Sequence, residues 1–329
     1  MQKMAMICPG CSSERALRLW KTTDRLFCTT DARFELQRCG DCELIYLWPQ
    51  PSAEELAGYY PRGYWVEAAD EREGGLHARL IEAYRRLVLR DHLRFVRRVL
   101  DEQVRRGVTP RLLDLGAGDG CFLDALASPS CVGMDVSRDA LMALRARGVD
   151  AVRGQLGAPP FRSGCFSLVT LFHVLEHVAA PDLVLASVRE LLRSDGDLVL
   201  QVPNSGSWQA ALFGGRWGGL DVPRHLVDYS ARTLRRTLEA RGFEVVRESH
   251  FSLRDNAATL VNSLFPGLYP PARAARRVAN RGLAGWLSDF AYLGLTLAAI
   301  PFTLLESSFR HGAAVMVHAR PRPKTPGIS

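Results

Sequence analysis

The chain has 329 residues, 47% apolar and 23% charged, with a formal net charge of +7. That composition excludes a disordered tail protein, a collagen-like chain and a small disulfide scaffold, and it leaves room for two or three domains. Lys3, Lys21 and Lys324 are the only lysines among 42 basic residues, a ratio that reads as a composition bias. So small an excess spread over this length argues against nucleic acid as a partner.

The amino terminus, MQKMAMICPG, carries neither an apolar h-region nor a cleavage site, so a cytoplasmic protein is expected. Its cysteines should then be thiols or metal ligands. Cys8-x-x-Cys11 and Cys39-x-x-Cys42 form two matched pairs within a module at 1–50, which closes at the turn-rich Trp48-Pro-Gln-Pro-Ser52. Each C-x-x-C turn can place two thiolates on one side of a tetrahedral zinc ion, and two turns complete its shell. Such an ion contributes on the order of 10–16 kcal/mol to folding, which a module this small needs. A redox pair is the rival reading; two matched pairs favour structural zinc.

Residues 51–106 carry aromatics at Tyr59, Tyr60, Tyr64 and Trp65, then apolar positions at Leu80, Tyr84, Leu87, Val88, Phe95 and Val99. The second set has helical spacing, so an amphipathic helix over about 76–106 is expected to cover the site built by the strands after it.

From Arg111 short apolar strands alternate with helical patterns. The first strand, Leu112–Leu115, runs into Gly116, Gly118 and Gly120, which let the backbone approach a ligand and turn into a helix. The second, Cys131–Asp135, ends in an acid 19 residues after Gly116. A carboxylate there can accept both ribose hydroxyls of an adenosine cofactor. The loop reads G-x-G-x-G, with Cys121 where a dinucleotide fold has its third glycine. Asp114, just ahead of the loop, would repel a pyrophosphate but suits the amino group of a methionine moiety. A dehydrogenase therefore ranks last.

This pattern resembles the class I S-adenosylmethionine-dependent methyltransferases. Val169-Thr-Leu-Phe-His-Val-Leu-Glu-His-Val178 is similar to their fourth-strand motif. The helical run Pro181–Leu192, the turn Asp195-Gly196 and the strand Leu198–Val202 match the next elements in the order of that superfamily. Trp217-Gly-Gly-Leu-Asp-Val-Pro-Arg-His-Leu226 resembles, more loosely, a bacterial subfamily with an N-terminal zinc knuckle. That subfamily often occurs with sugar, polysaccharide or natural-product pathways, and some relatives methylate carbon on nucleotide-linked sugars.

The resemblance implies an α/β fold: a Rossmann-like, seven-stranded sheet with helices on both faces. It assigns the core to 107–252 and 312–320. It also implies S-adenosylmethionine held by Asp114, Gly116, Ala117, Gly118, Gly120, Asp135, Val136, Gln155, Leu156 and Phe172. Where the family often offers an acid to the adenine amino group, Gly154-Gln155-Leu156 supplies an amide, which can still accept that bond.

An alcohol or carbon acid needs a proton removed, best by a base with pKa near 7. His173, Glu176 and His177 follow the fourth strand at i, i+3 and i+4 and would share a face at the sheet's carboxyl edge. His177 is the expected base, with Glu176 orienting it or binding a substrate hydroxyl, and His225 is the second candidate. The rival reading has Glu176 and His177 merely tying down the turn. A metal held by His173, Glu176, His177 and His225 ranks well below both.

Residues 253–311 interrupt what is normally a hairpin. The uncharged stretch from Phe290 to Leu305 is 16 residues, short of the roughly 20 that span a bilayer. The preferred expectation is a buried helical lid over the acceptor. Shallow membrane contact through 282–309 is the alternative, supported by Arg273, Arg276, Arg277 and Arg281. The tail, 321–329, is expected to be disordered. The acceptor implied is a small-molecule, sugar-like or lipid-linked intermediate, methylated on oxygen or carbon. The rival readings are an RNA methyltransferase and a non-catalytic scaffold with the same fold.

Overall fold

The computed structural model describes residues 6–61, 64, 84–128, 130–276 and 283–323. In the N-terminal module β1 (Ala16–Thr23), β2 (Arg33–Cys39) and β3 (Ile45–Trp48) form an antiparallel sheet. Leu36, Leu44, Tyr46 and Leu47 are its largest fully buried side chains. That is too little apolar surface for an independent core, so the sheet leans on the rest of the chain.

The alternating region gives five parallel strands: β4 (Leu112–Leu115), β5 (Cys131–Asp135), β6 (Asp150–Arg153), β7 (Phe166–Phe172) and β8 (Leu192–Pro203). A short β9 (Val227–Asp228) is next, then β10 (Phe243–Ser249) and β11 (Ala314–Pro321). The main sheet runs β10-β11-β8-β7-β4-β5-β6, with β11 antiparallel to both neighbours. β4 is buried at every position, and β7 at all but its last, as expected of parallel strands covered on both faces.

The pleat sends alternate side chains to opposite faces. Leu113, Val169, Leu198 and Leu200 share one core with Val184, Leu185 and Val188 of helix Pro181–Leu191 and Leu234 and Leu238 of helix Ala231–Ala240. Leu112, Leu168, Val199 and Met316 face the other core, with Val96 and Val99 of helix Arg90–Arg105 and Leu141 and Leu144 of helix Arg138–Ala146. The seven-stranded doubly covered sheet is the one expected. Of the long helix expected over 76–106, residues up to 83 lie outside the described residues, as does Trp65.

β9 does not join the main sheet. It pairs with β3, Ile45 opposite Asp228 and Tyr46 opposite Val227, and so becomes the fourth strand of the N-terminal sheet. The tail is ordered through Pro321, because β11 continues that far; 324–329 lie outside the described residues.

The buried lid is corrected by the structure. The apolar run belongs to a 26-residue helix, Leu283–Ser308, with Pro301 inside it. Only 11% of its most apolar window is buried. Gly285, Tyr292, Ala299, Thr303 and Glu306 form one narrow inward stripe. Trp286, Leu287, Phe290, Leu293, Leu297, Leu304 and Leu305 are exposed. The reason is thickness: one short helix, Asn256–Leu264, underlies it, and a single helix can bury only one stripe of a helix that is apolar all round. Arg277 and Arg281 lie outside the described residues.

Candidate active site

The residues expected to hold a cofactor begin where β4 leaves the sheet. Gly116 has φ +73°, and a Cβ there would stand 2.5 Å from Val174 Cγ2. At Gly120, φ +76°, a Cβ would meet Leu144 Cδ2 at 2.7 Å. Both positions therefore demand glycine, and the first packs the loop against the turn after β7. Ala117 is buried behind it.

Asp135, at the end of β5, accepts hydrogen bonds from the backbone N–H of Gly118 (3.1 Å) and of Ser137 (2.9 Å). Its carboxylate thus braces the glycine loop. Val136, Arg153, Gly154 and Gln155 line a shallow open cleft beside it. Leu156 packs inward on the core. Asp114 is buried and accepts from Thr170 Oγ1 at 2.6 Å. Burial, with a smaller contribution from Asp135, pushes its carboxyl up to about 7. Phe172 closes this end, edge-on to His92 (4.9 Å between centroids) and Phe122 (4.8 Å).

The residues expected to meet an acceptor lie in the turn after β7 and the loop after β8. His173 has φ +56°, and its Nδ1–H donates to Glu176 Oε1 (3.2 Å) while Nε2 lies 3.2 Å from Asp255 Oδ2. Against the cost of burial, Asp255 and Glu176 carry the pKa of His173 up to about 9. Two carboxylates clamp its ring, an arrangement that suits a positioning residue better than a base.

His177 and His225 meet edge-to-face, centroids 4.7 Å apart. Burial pushes both down to about 4, so both are neutral imidazoles at neutral pH. The hydroxyl of Tyr60 lies 3.1 Å from His177 Nδ1, and the ring of Tyr64 stands edge-on to His177 at 6.4 Å.

Arg224, next to His225, holds the loop. Its guanidinium is fully buried and bonds Asp24 (2.7 Å), Asp221 (2.7 Å) and the Tyr59 carbonyl (3.0 Å). It also lies over the Phe27 ring at 4.6 Å, and Tyr64 donates to Asp221 at 2.6 Å. Against burial, Arg224 keeps the Asp221 carboxyl at about 2.

At the far end of the N-terminal sheet the four paired cysteines converge. The Cys8–Cys42 and Cys11–Cys39 sulfurs are each 3.5 Å apart, close to the roughly 3.8 Å edge of a zinc–thiolate tetrahedron. Against burial, the backbone N–H groups of Cys42 and Asp41, which point at the Cys39 sulfur, lower its pKa to about 7. All eight cysteines are free, and these four could hold a zinc ion.

The expected cofactor residues thus stand at the carboxyl ends of β4, β5 and β7 and in the loops after β4 and β6, while His173, Glu176 and His177 lie in the turn after β7 and His225 in the loop after β8. Asp24, Asp221, Arg224, Tyr60, Tyr64 and Asp255 were missed as site residues. The aromatic pair and Pro223-Arg-His were visible in the sequence, but nothing there joined them to Asp24.

A seven-stranded sheet in this order, with a glycine loop and an acid at the end of the second strand, defines the class I methyltransferase fold. Residues 81–248 match the model of a family described as a methyltransferase domain, half of the chain, and the chain belongs to that family.

An uncharacterised protein of Mycobacterium tuberculosis is 36% identical over 138 residues, 42% of this chain and 47% of its own. The ubiquinone biosynthesis O-methyltransferase of Glaesserella parasuis is 28% identical over 107 residues, 29% of this chain and 45% of its own. The chain thus spans about half the length of the curated relatives it matches. Among solved structures, an S-adenosylmethionine-dependent methyltransferase from Mesorhizobium loti aligns with a TM-score of 0.39 at 16% identity, covering 64% of this chain and 90% of that one. The [4+2]-cyclase SpnF aligns at 0.44 and 20%, covering 65% and 75%.

Proposed function

We propose that the protein moves a methyl group from S-adenosylmethionine to an oxygen or carbon of a small-molecule, sugar-like or lipid-linked acceptor. One observation carries the reading: Val174 against Gly116 joins the cofactor loop to the turn that bears His173, Glu176 and His177. A cofactor on the loop and an acceptor in the histidine pocket would then be neighbours.

When bound, S-adenosylmethionine supplies a methyl already activated on a sulfonium. Asp135 would take the ribose hydroxyls, Val136 and Gln155 the adenine, and Asp114 the methionine ammonium. Glu176, His177 and His225 would activate the acceptor, with Tyr60 and Tyr64 as walls that keep water out. Cys8, Cys11, Cys39 and Cys42 would hold a structural zinc.

The exposed helix Leu283–Ser308 supports a lipid-linked acceptor over a freely diffusing one. It packs on helix Asn256–Leu264, whose Ser263 accepts from the Gly218 N–H at 2.8 Å, in the loop that leads to His225. We place the protein in the cytoplasm, peripheral at the membrane, with that helix in the interface.

The test is calorimetric titration with S-adenosylmethionine and S-adenosylhomocysteine, beside NAD. Micromolar binding of the first two, none of NAD, and at least tenfold loss in Asp135→Asn are expected. A folded protein that binds neither methionine nucleoside would overturn the reading.

A further inference from the structure

The turn after β7 and the loop after β8 contain an arrangement that a histidine base does not require. One ligand atom each from Glu176, His177 and His225 lies within 4.8 Å of the others. His177 Nδ1 is 3.1 Å from the Arg224 carbonyl oxygen, and His225 Nδ1 is 2.9 Å from the Gly219 carbonyl oxygen. A carbonyl can only accept, so His225 Nδ1 carries the hydrogen and its Nε2 keeps a lone pair. His177 Nδ1 also lies 3.1 Å from the Tyr60 hydroxyl, which can accept from the same N–H. The tautomer that serves the Arg224 carbonyl thus leaves a lone pair on His177 Nε2 as well. A backbone carbonyl behind the distal nitrogen is how metal-ligating histidines are oriented.

Glu176 completes the set. Its side chain is 1% exposed; Oε1 takes the His173 N–H, and Oε2 has no hydrogen-bond partner among the described residues. A buried carboxylate oxygen left unpaired is costly, and a cation is the partner that best offsets it. We propose that Glu176, His177 and His225 bind a divalent first-row transition-metal ion, and that the acceptor reaches it through an oxygen donor.

The donor set decides the ion. Two imidazole nitrogens and one carboxylate suit manganese, iron, cobalt or zinc, whereas magnesium and calcium prefer oxygens throughout. Three protein ligands leave coordination positions open for the acceptor. The neighbouring group of His92, His173 and Asp255 is a poorer site, because both nitrogens of His173 already face carboxylates. His173 instead holds Glu176 in place. The ion's consequence for acceptor activation rests on the methyl-transfer reading, since a hydroxyl at a dication ionises far more readily than a free one. The site itself does not.

Manganese is the probe of choice, because it competes poorly for the thiolates of the cysteine cluster. Manganese titration followed by electron paramagnetic resonance should show one bound ion per zinc-loaded chain. Glu176→Gln and His225→Gln should each weaken it at least tenfold, and His92→Phe should not. Unchanged zinc content and S-adenosylhomocysteine binding would show that the variants fold. No bound manganese in a wild-type protein that binds S-adenosylhomocysteine would overturn the metal site and leave the methyl-transfer reading standing. Equal binding by the Glu176 and His225 variants, or loss in His92→Phe alone, would overturn it too. Manganese bound in this way by a protein without affinity for S-adenosylhomocysteine would support the site and remove the methyl-transfer reading.

Discussion

Arg224 and Asp24 stand 200 residues apart and meet as a bidentate pair, with nitrogens 2.7 and 3.1 Å from the two carboxylate oxygens and neither side chain exposed. Asp24 also accepts from the backbone N–H of Phe27 (3.0 Å) and Thr29 (2.8 Å), so it ties the turn after β1 to the loop of His225. A buried ion pair contributes little net energy once desolvation is counted, but removing one partner strands the other.

Asp24→Asn should therefore destabilise the fold by about 3–5 kcal/mol in chemical denaturation. The wild type should show the matching pH dependence. Against burial, Arg224 holds the Asp24 carboxyl below its ordinary value, so its stabilisation is present at neutral pH. It should be lost as pH falls through and below about 4, and Asp24→Asn should flatten that limb. Equal stability of the two proteins at pH 7 would remove the role assigned to the pair.

Cofactor binding should tighten with rising pH through Asp114. Free, its carboxyl sits at about 7, raised by burial, with Asp135 as the nearby charge and Thr170 as its bonded partner. A bound ammonium favours the ionised form, so affinity should rise up to tenfold per unit below pH 7 and level off above it. Calorimetry at pH 6, 7 and 8 should show proton uptake by buffer at pH 6, and Asp114→Asn should abolish the slope.

Zinc removal should be felt locally first. Stripping the metal with a strong chelator, or Cys39→Ala, should leave no zinc by elemental analysis and open 1–50 to proteolysis. Cleavage confined to other parts of the chain would contradict a structural role.

The exposed helix gives a vesicle assay. The wild type should float with liposomes containing anionic lipid, and Trp286 should blue-shift on binding. Leu297→Arg, on the exposed side, should reduce flotation at least fivefold, since a charge in the bilayer costs about 2–3 kcal/mol. No flotation by the wild type would leave a freely diffusing acceptor as the better reading.

Much of the core was legible because local signals and tertiary demands coincide there. Leu112–Leu115 and Cys131–Asp135 appear as strands with the expected ends, and the glycine loop results from positive φ and close approach at Gly116 and Gly120. The cysteine pairs were legible because metal spacing is local. The Asp24–Arg224 pair was not, since nothing periodic marks two residues joined only by the finished fold. Nor was β9, a two-residue strand with no pattern of its own. The helix Leu283–Ser308 was read correctly as apolar and wrongly as covered: hydropathy reports what a helix prefers, not how many neighbours there are to satisfy it.

β9 has a consequence for any attempt to shorten the protein. The Leu47 N–H donates to the Leu226 carbonyl at 3.0 Å, and the Leu226 N–H donates to the Glu176 carbonyl at 2.8 Å. Backbone thus runs without a break from the sheet carrying the cysteines, through the residue after His225, to the turn of Glu176. Trimming the first fifty residues would bare an edge beside His225 and free the loop that carries it, so the rest of the chain would lose the strand that holds His225 beside Glu176.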